Sequence, residues 1–373
     1  MAESTKRQHA GRDNTVSDAD FKTYVKTLIA ESINPAINEL LKQIDSKGIE
    51  KLIGTSKYQT PTAATDNGIA EPANYLLNMG GNRNRPVLML TLIEALGGDQ
   101  ARFLPFAIIP EMIHNATLVH DDIEDNSPMR RNKEAVHVKF GLPIANNLGD
   151  FMYYFPTEAV LEKNHLPPEK EIEIVRIYRK NMLRATVGQS FDLAWSEGRG
   201  NAFGISESEY LRMVELKSGA LLRMAAEMAG ALSNTNQETM DVIGRACMAI
   251  GIAFQIIDDI DNLKPSEIAS KKGGIGEDIT GGKITVMAVH ALKVANYADK
   301  ARLIAILKEH TKDSTKINEA IAIMDKYGSF TYSRTLAKQI ADGAWDELDK
   351  TLPSSIAKER IRTMIRILLY GTG

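Results

Sequence analysis

The 373-residue chain holds a single cysteine, Cys247, which excludes a disulfide framework and a multi-cysteine metal site and fits a reducing compartment. Its 27 glycines and 13 prolines follow no collagen-like period. It lacks a charge excess: 45 Lys plus Arg face 48 Asp plus Glu, so no global field draws it to nucleic acid or to an acidic membrane. No apolar run approaches the ~20 residues of a bilayer span; Ala246 to Phe254 is among the longest. A transmembrane segment is therefore not expected. The first 20 residues are polar with mixed charge, unlike a signal peptide, and are expected to form a disordered arm. Alternation demanding a sheet is missing, and so is any fixed repeat.

What is present is helical periodicity. Val25, Leu28, Ile29, Ile33, Ile37, Leu40, Leu41 and Ile44 recur at helical spacing across Phe21 to Ile53. Residues 55–71 read as a loop by composition. Helical stretches then alternate with short breaks at Gly97-Gly98, Gly141 to Pro143, Pro167-Pro168, Gly198 to Gly204, Ser233 to Asn236 and Gly273-Gly274. With no linker dividing residues 21–373, the expectation is one all-α domain. At 43 % hydrophobic content, the chain can bury a large core.

Two acidic clusters stand out, Asp121-Asp122-Ile123-Glu124-Asp125 and Asp258-Asp259-Ile260-Asp261-Asn262. Each follows an apolar helical run. Residues four apart share a helix face, so Asp121 projects with Asp125 and Asp258 with Asn262. Adjacent carboxylates repel, and apolar surroundings raise the cost of their charge. A cation resolves both. All-oxygen ligands suit Mg²⁺ rather than zinc, and Mg²⁺ keeps room for waters and a diphosphate. Acids make up 48 of 373 residues, so one such match arises by chance about once in a chain of this length. Two matches, both behind apolar helix, point to a site rather than to two solvated helix ends.

Cations for a diphosphate are at hand. Gly80-Gly81-Asn82-Arg83-Asn84-Arg85-Pro86 joins glycines that permit close approach to arginines that clamp phosphate. Arg130-Arg131 follows the first cluster; Lys271-Lys272 and Lys283 follow the second. Each alone is most simply a surface charge. Lys217, flanked by apolar residues, needs a partner. Gly276 to Ile284 resembles a phosphate-binding loop, but its spacing is off by one and Ile284 replaces the needed hydroxyl, so it is set aside. His114 lies two turns before Asp121 and is either a neutral core histidine or a substrate contact.

Together these residues resemble the trans-isoprenyl diphosphate synthases, from about Glu71 to about Leu352. Asp121-Asp122-x-x-Asp125 is similar to that family's first aspartate-rich motif, and Phe254-Gln255-x-x-Asp258-Asp259 to its second. Arg130-Arg131, Lys217-Ser218 and Gly282-Lys283-x-Thr285 fall where the family carries paired arginines, Lys-Thr and Gly-Lys-x-Thr. The resemblance implies helices around a deep central cavity, a cytoplasmic homodimer, and three Mg²⁺ per site. It implies that Asp121, Asp122, Asp125, Asp258, Asp259 and Asn262 bind metal. Arg130, Lys217, Gln255, Lys272 and Lys283 would serve the allylic diphosphate, and Asn82, Arg85, His114 and Arg131 isopentenyl diphosphate. Asn82 stands where the family has lysine, leaving Arg83 to make up the charge. The second motif ends in Asn262 rather than aspartate. Residues just before the first motif form the family's cavity floor. Here Ala116 and Thr117 are not aromatic, and Ile113 and Met112 come next. Each turn deeper adds ~5.4 Å, so a product of C20 or longer is expected, geranylgeranyl diphosphate foremost. Tyr153, Tyr154 and Phe155 could cap the cavity from another helix. A longer-chain synthase, a terpene cyclase and a non-catalytic partner subunit are the competing readings. The cyclase would lack the isopentenyl-binding arginines; the partner subunit rests on Asn82 and Asn262.

Overall fold

The computed structural model describes residues 15–263 and 276–371. Among these residues helix dominates, and the only strands are Met129–Arg130 and Lys133–Glu134. Most of residues 1–20, and Lys271-Lys272 with Gly273-Gly274, lie outside the described residues.

The first helix, Asp18–Leu28, begins inside the stretch expected to be a disordered arm. Ser17 caps it by accepting from the Asp20 N–H at 3.1 Å, and Asp18 and Asp20 complement the helix dipole. Phe21 is buried, and Asp18 pairs with Arg366 of the last helix, Ile356–Tyr370. The apolar run to Ile53 continues through a five-residue wide turn and helix Asn34–Leu41, breaks, and resumes at Ser46–Ile53. Asp45 caps that restart by accepting from Gly48 N–H at 2.7 Å. The loop expected over residues 55–71 ends early. Pro61 precedes a short helix, Thr62–Thr65, that runs through a wide turn into Glu71–Leu77. Polar Thr, Asn and Asp in this stretch hide a helix held by the burial of Pro72, Ala73, Leu76 and Leu77.

The core is built on helix Ala220–Leu232, which buries every residue but Arg223. A helix apolar all round belongs inside. It packs on Gln100–Glu124 and on Gln237–Asn262, the two helices that end in the acidic clusters. Helix Gln237–Asn262 alone, among the described residues, is long and apolar enough to cross a membrane by composition, with mean hydropathy 1.6. It is a core helix, packed against Ala220–Leu232 and Ser329–Thr351.

Glycines set the closest approach. A Cβ on Gly251 would sit 2.8 Å from Gly219 Cα, and one on Gly188 only 2.2 Å from Lys217 N. The wide π-type turn Glu215–Gly219 is thereby clamped between helix Pro168–Ser196 and the second motif helix. Such turns break helical register and re-aim side chains.

Candidate active site

The first cluster lies at the C-terminal end of helix Gln100–Glu124, where the helix dipole disfavours anions, so cations gather around it. Arg130 grips Asp122, its Nε 3.0 Å from Oδ1 and 3.2 Å from Oδ2. Lys217 Nζ is 2.6 Å from Asp192 Oδ2 and 3.4 Å from Asp121 Oδ1. Lys283 Nζ is 2.7 Å from Asp125 Oδ2. Gln189 Nε2 donates to Asp121 Oδ1 at 2.9 Å and to Glu124 Oε2 at 2.5 Å. Burial works to raise the Asp121 pKa. Lys217, then Lys283, Gln189 and Arg130, overcome it and hold the carboxyl well below its usual range. For Asp122 burial wins over Arg130, and its pKa is raised. Burial also opposes the charge on Lys217, but Asp121 and Asp192 raise its pKa nonetheless.

The second cluster closes helix Gln237–Asn262. Asp259 is 8 % exposed. Its Oδ1 accepts from Gln255 Nε2 at 2.8 Å and its Oδ2 from the Tyr210 hydroxyl at 2.9 Å. Ser218 Oγ donates to Gln255 Oε1 at 2.7 Å. Burial, then Asp278, pushes Asp259 up to about 7 against these donors. Asn262 is buried, and its Oδ1 accepts from the Asp278 N–H at 3.2 Å. Its amide thereby anchors the segment after the helix.

The clusters share neighbours. Lys283 feels Asp125, Asp278, Asp121 and Asp192; Tyr210 feels Asp259, Asp278 and Asp192. Asp278 acts on both Lys283 and Asp259, and Asp192 on both Lys217 and Tyr210, so these two carboxylates link the surroundings of the two patches. Among the described residues no three His, Cys, Asp or Glu side chains gather closely enough to hold a metal alone. An oxygen-only donor set of this kind fits Mg²⁺ completed by phosphate oxygens.

A second basic pocket lies on the other side of the first cluster. Strands Met129–Arg130 and Lys133–Glu134 form a hairpin with Met129 opposite Glu134. Its turn residues Arg131 and Asn132 have φ of 52° and 63°, as a type I′ turn requires. The reversal sends Arg130 to Asp122 and Arg131 to Gly80 O and, at 3.4 Å, to Asn115 Oδ1. Arg85 Nε is buried without a hydrogen-bond partner, beside a cavity of about 30 Å³ walled by Leu222, Ile250, Phe254 and Ile365. Burial, then Arg131, draws Arg85 down to about 10 against Glu111. Burial, then Arg85, Arg131 and Arg130, pushes His114 well below its usual 6.5, so it is neutral at pH 7. This excess of buried positive charge calls for an anion.

Arg83 does not supply it. It is 4 % exposed and turned inward. Its NH1 is 2.9 Å from Glu111 Oε1, and its NH2 donates to Leu77 O at 3.1 Å. The expectation that Arg83 replaces the charge missing at exposed Asn82 is overturned: a guanidinium pinned inside the core cannot meet a ligand. Lys272 lies outside the described residues. Of the floor residues, Met112, Ile113 and Ala116 are fully buried, and Thr117 is half-buried with its hydroxyl on His114 O. The three aromatics expected as a cap diverge. Tyr153 stacks on His120, Phe155 stacks on Phe151 in the interior, and Tyr154 is 72 % exposed.

Sequence reasoning missed Gln189, Asp192, Tyr210 and Glu111. Gly188-Gln189-x-x-Asp192 carries a signal, since a glycine beside two polar residues three apart marks a helix face pressed on a polar neighbour. Tyr210 and Glu111 give none.

The family profile of polyprenyl synthetase matches residues 66–324. A short chain isoprenyl diphosphate synthase of Methanothermobacter thermautotrophicus is 31 % identical, covering 82 % of this chain and 91 % of that protein. Geranylgeranyl pyrophosphate synthase 2 of Zymoseptoria tritici is 34 % identical over 78 % and 82 % respectively. Among solved structures, geranylgeranyl pyrophosphate synthetase of Pyrococcus horikoshii superposes with a TM-score of 0.73 at 30 % identity, covering 90 % of this chain and 99 % of that one.

Proposed function

The chain belongs to the polyprenyl synthetase family and is a trans-prenyltransferase; we propose that it condenses isopentenyl diphosphate with allylic diphosphates, dependent on Mg²⁺, to a product of C20 or longer, principally geranylgeranyl diphosphate. The observation that carries this reading is the pairing of Lys217, Lys283 and Arg130 with the first acidic cluster, while the Arg85 Nε stands buried without a partner near Arg131. One region suits a metal-bound diphosphate, the other a metal-free one.

Asp121, Asp122, Asp125, Asp258 and Asp259 are the carboxylates placed to hold Mg²⁺, which when bound neutralises charge on the departing diphosphate. Arg130, Lys217 and Lys283 exchange their aspartate partners for phosphate oxygens and stabilise the leaving anion. Arg85 and Arg131 clamp isopentenyl diphosphate, and neutral His114 can donate to it without adding charge. The isopentenyl double bond attacks the allylic carbon, the carbon–oxygen bond breaks, and the proton lost from the adduct passes to released diphosphate. The aliphatic walls at Ile113 and Ala116 offer the cation no nucleophile. Leu142, Tyr154, Ile172 and Leu183 stand exposed on neighbouring helices, which supports a homodimer across that face.

Purified chain incubated with isopentenyl diphosphate, Mg²⁺ and dimethylallyl, geranyl or farnesyl diphosphate tests the reading. C20 product is expected, lost with chelator and restored by Mg²⁺. Arrest at C15 overturns the product length; turnover only after adding a second subunit favours the partner reading.

A further inference from the structure

The wide turn Glu215–Gly219 sends Lys217 to the first acidic cluster and Ser218, the next residue, toward the second. From Ser218 the hydrogen bonds run one way. Its hydroxyl can donate only if Gln255 presents Oε1, which leaves Nε2 facing Asp259. On the other side the Tyr210 hydroxyl reaches Asp259 Oδ2 from helix Glu207–Val214. That helix is itself fixed by a capping box between Ser206 and Glu209. Tyr210 is 1 % exposed, so water cannot replace its hydroxyl. Among the described residues each Asp259 oxygen thus has one protein donor, and the remaining lone pairs are oriented by them.

We propose that Tyr210 and Ser218 are positioning residues: with Gln255 they fix the orientation of the Asp259 carboxylate, and through it the affinity of the second acidic cluster for metal-bound diphosphate. The inference rests on the metal-dependent reading above. Supporting partners of a metal site typically set about 10–100-fold in metal affinity. The wide turn also ties the clusters together, because whatever shifts Ser218 shifts Lys217.

The test uses the full chain with Mg²⁺ and inorganic pyrophosphate as probes in isothermal titration, alongside the Mg²⁺ dependence of condensation. Tyr210→Phe keeps the buried ring and removes one donor. It should weaken Mg²⁺-dependent pyrophosphate binding and raise half-activating Mg²⁺ by about 10–100-fold. The kcat at saturating Mg²⁺, the KM for isopentenyl diphosphate and the metal-free melting temperature should stay near wild type. Ser218→Ala, which frees the Gln255 amide to flip, should share the defect, and Ser218→Thr should be rescued. If Tyr210→Phe melts early, the Ser218 pair decides. A Mg²⁺ requirement unchanged in Tyr210→Phe and Ser218→Ala overturns this inference alone, as does a kcat loss that extra Mg²⁺ does not relieve. Wild type that binds no pyrophosphate with Mg²⁺ overturns this inference and the proposed function together.

Discussion

Replacing Arg83 with methionine separates a structural arginine from a substrate-binding one. Methionine keeps much of the stem volume and removes a guanidinium that is 4 % exposed. It leaves Glu111, 2 % exposed, with a long contact from Asn115 at 3.4 Å and the fields of Arg85 and Arg131. Removing one member of a buried pair costs about 3–5 kcal/mol. The two remaining arginine fields favour the lower end, about 3 kcal/mol. Unfolding entropy of about 2 cal/mol/K per residue converts that to a fall of about 4 °C in melting temperature for a chain of this length. The assay is thermal denaturation in chelator without substrate, paired with the KM for isopentenyl diphosphate at 25 °C. Melting should fall with KM changed less than about threefold, and Arg83→Met combined with Glu111→Leu should recover most of the loss, because no buried charge is then unpaired. An unchanged melting temperature with a tenfold rise in KM would refute the reasoning and return Arg83 to the isopentenyl site.

Three further outcomes are expected. Ala116→Phe should shorten the product by one or more isoprene units, read by chain-length chromatography; an unchanged distribution removes Ala116 from the floor. Gly188→Ala would place a Cβ 2.2 Å from Lys217 N and 2.7 Å from the Leu216 carbonyl carbon. The forced shift should cost about 1–3 kcal/mol and lower kcat/KM, and wild-type kinetics would show that the clamp can yield. His114 has a folded pKa depressed below 6.5, so the unfolded chain binds more protons in acid. Stability tied to its neutrality is complete above pH 6.5 and is lost as pH falls below it, at up to about 1.4 kcal/mol per pH unit. His114→Gln should flatten the slope of melting temperature between pH 6.5 and 5; equal slopes in both proteins would contradict the assignment.

Both acidic clusters and their cations were readable because their chemistry is written locally, in adjacent carboxylates behind apolar helix. Helicity was readable for the same reason from Phe21 to Leu41, where apolar residues recur at helical spacing, but the break before Ser46 was not. The direction of a side chain was not. Arg83 and Arg85 are equivalent in sequence, and Glu111, 28 positions on, together with the Leu77 carbonyl holds the first inward. Tyr210 meets Asp259 across 49 positions and Gln189 meets Asp121 across 68, distances no motif spans. Asn262 also anchors the segment after its helix, through a backbone N–H sixteen residues later that no motif announces. The helix at Thr62 escaped because the Thr, Asp, Asn and Gly of residues 65–68 read as loop, while burial of Leu76 and Leu77 holds the stretch helical.

The hairpin at Arg131-Asn132 acts as a pair of calipers. Arg130 and Arg131 are one peptide apart, about 3.8 Å between Cα atoms, yet one reaches Asp122 and the other the Gly80 carbonyl. On the proposed reading, the offset between the two reactants is written into covalent geometry rather than left to loop packing. Lengthening that turn by a single residue would misalign donor and acceptor even where each still bound at full strength.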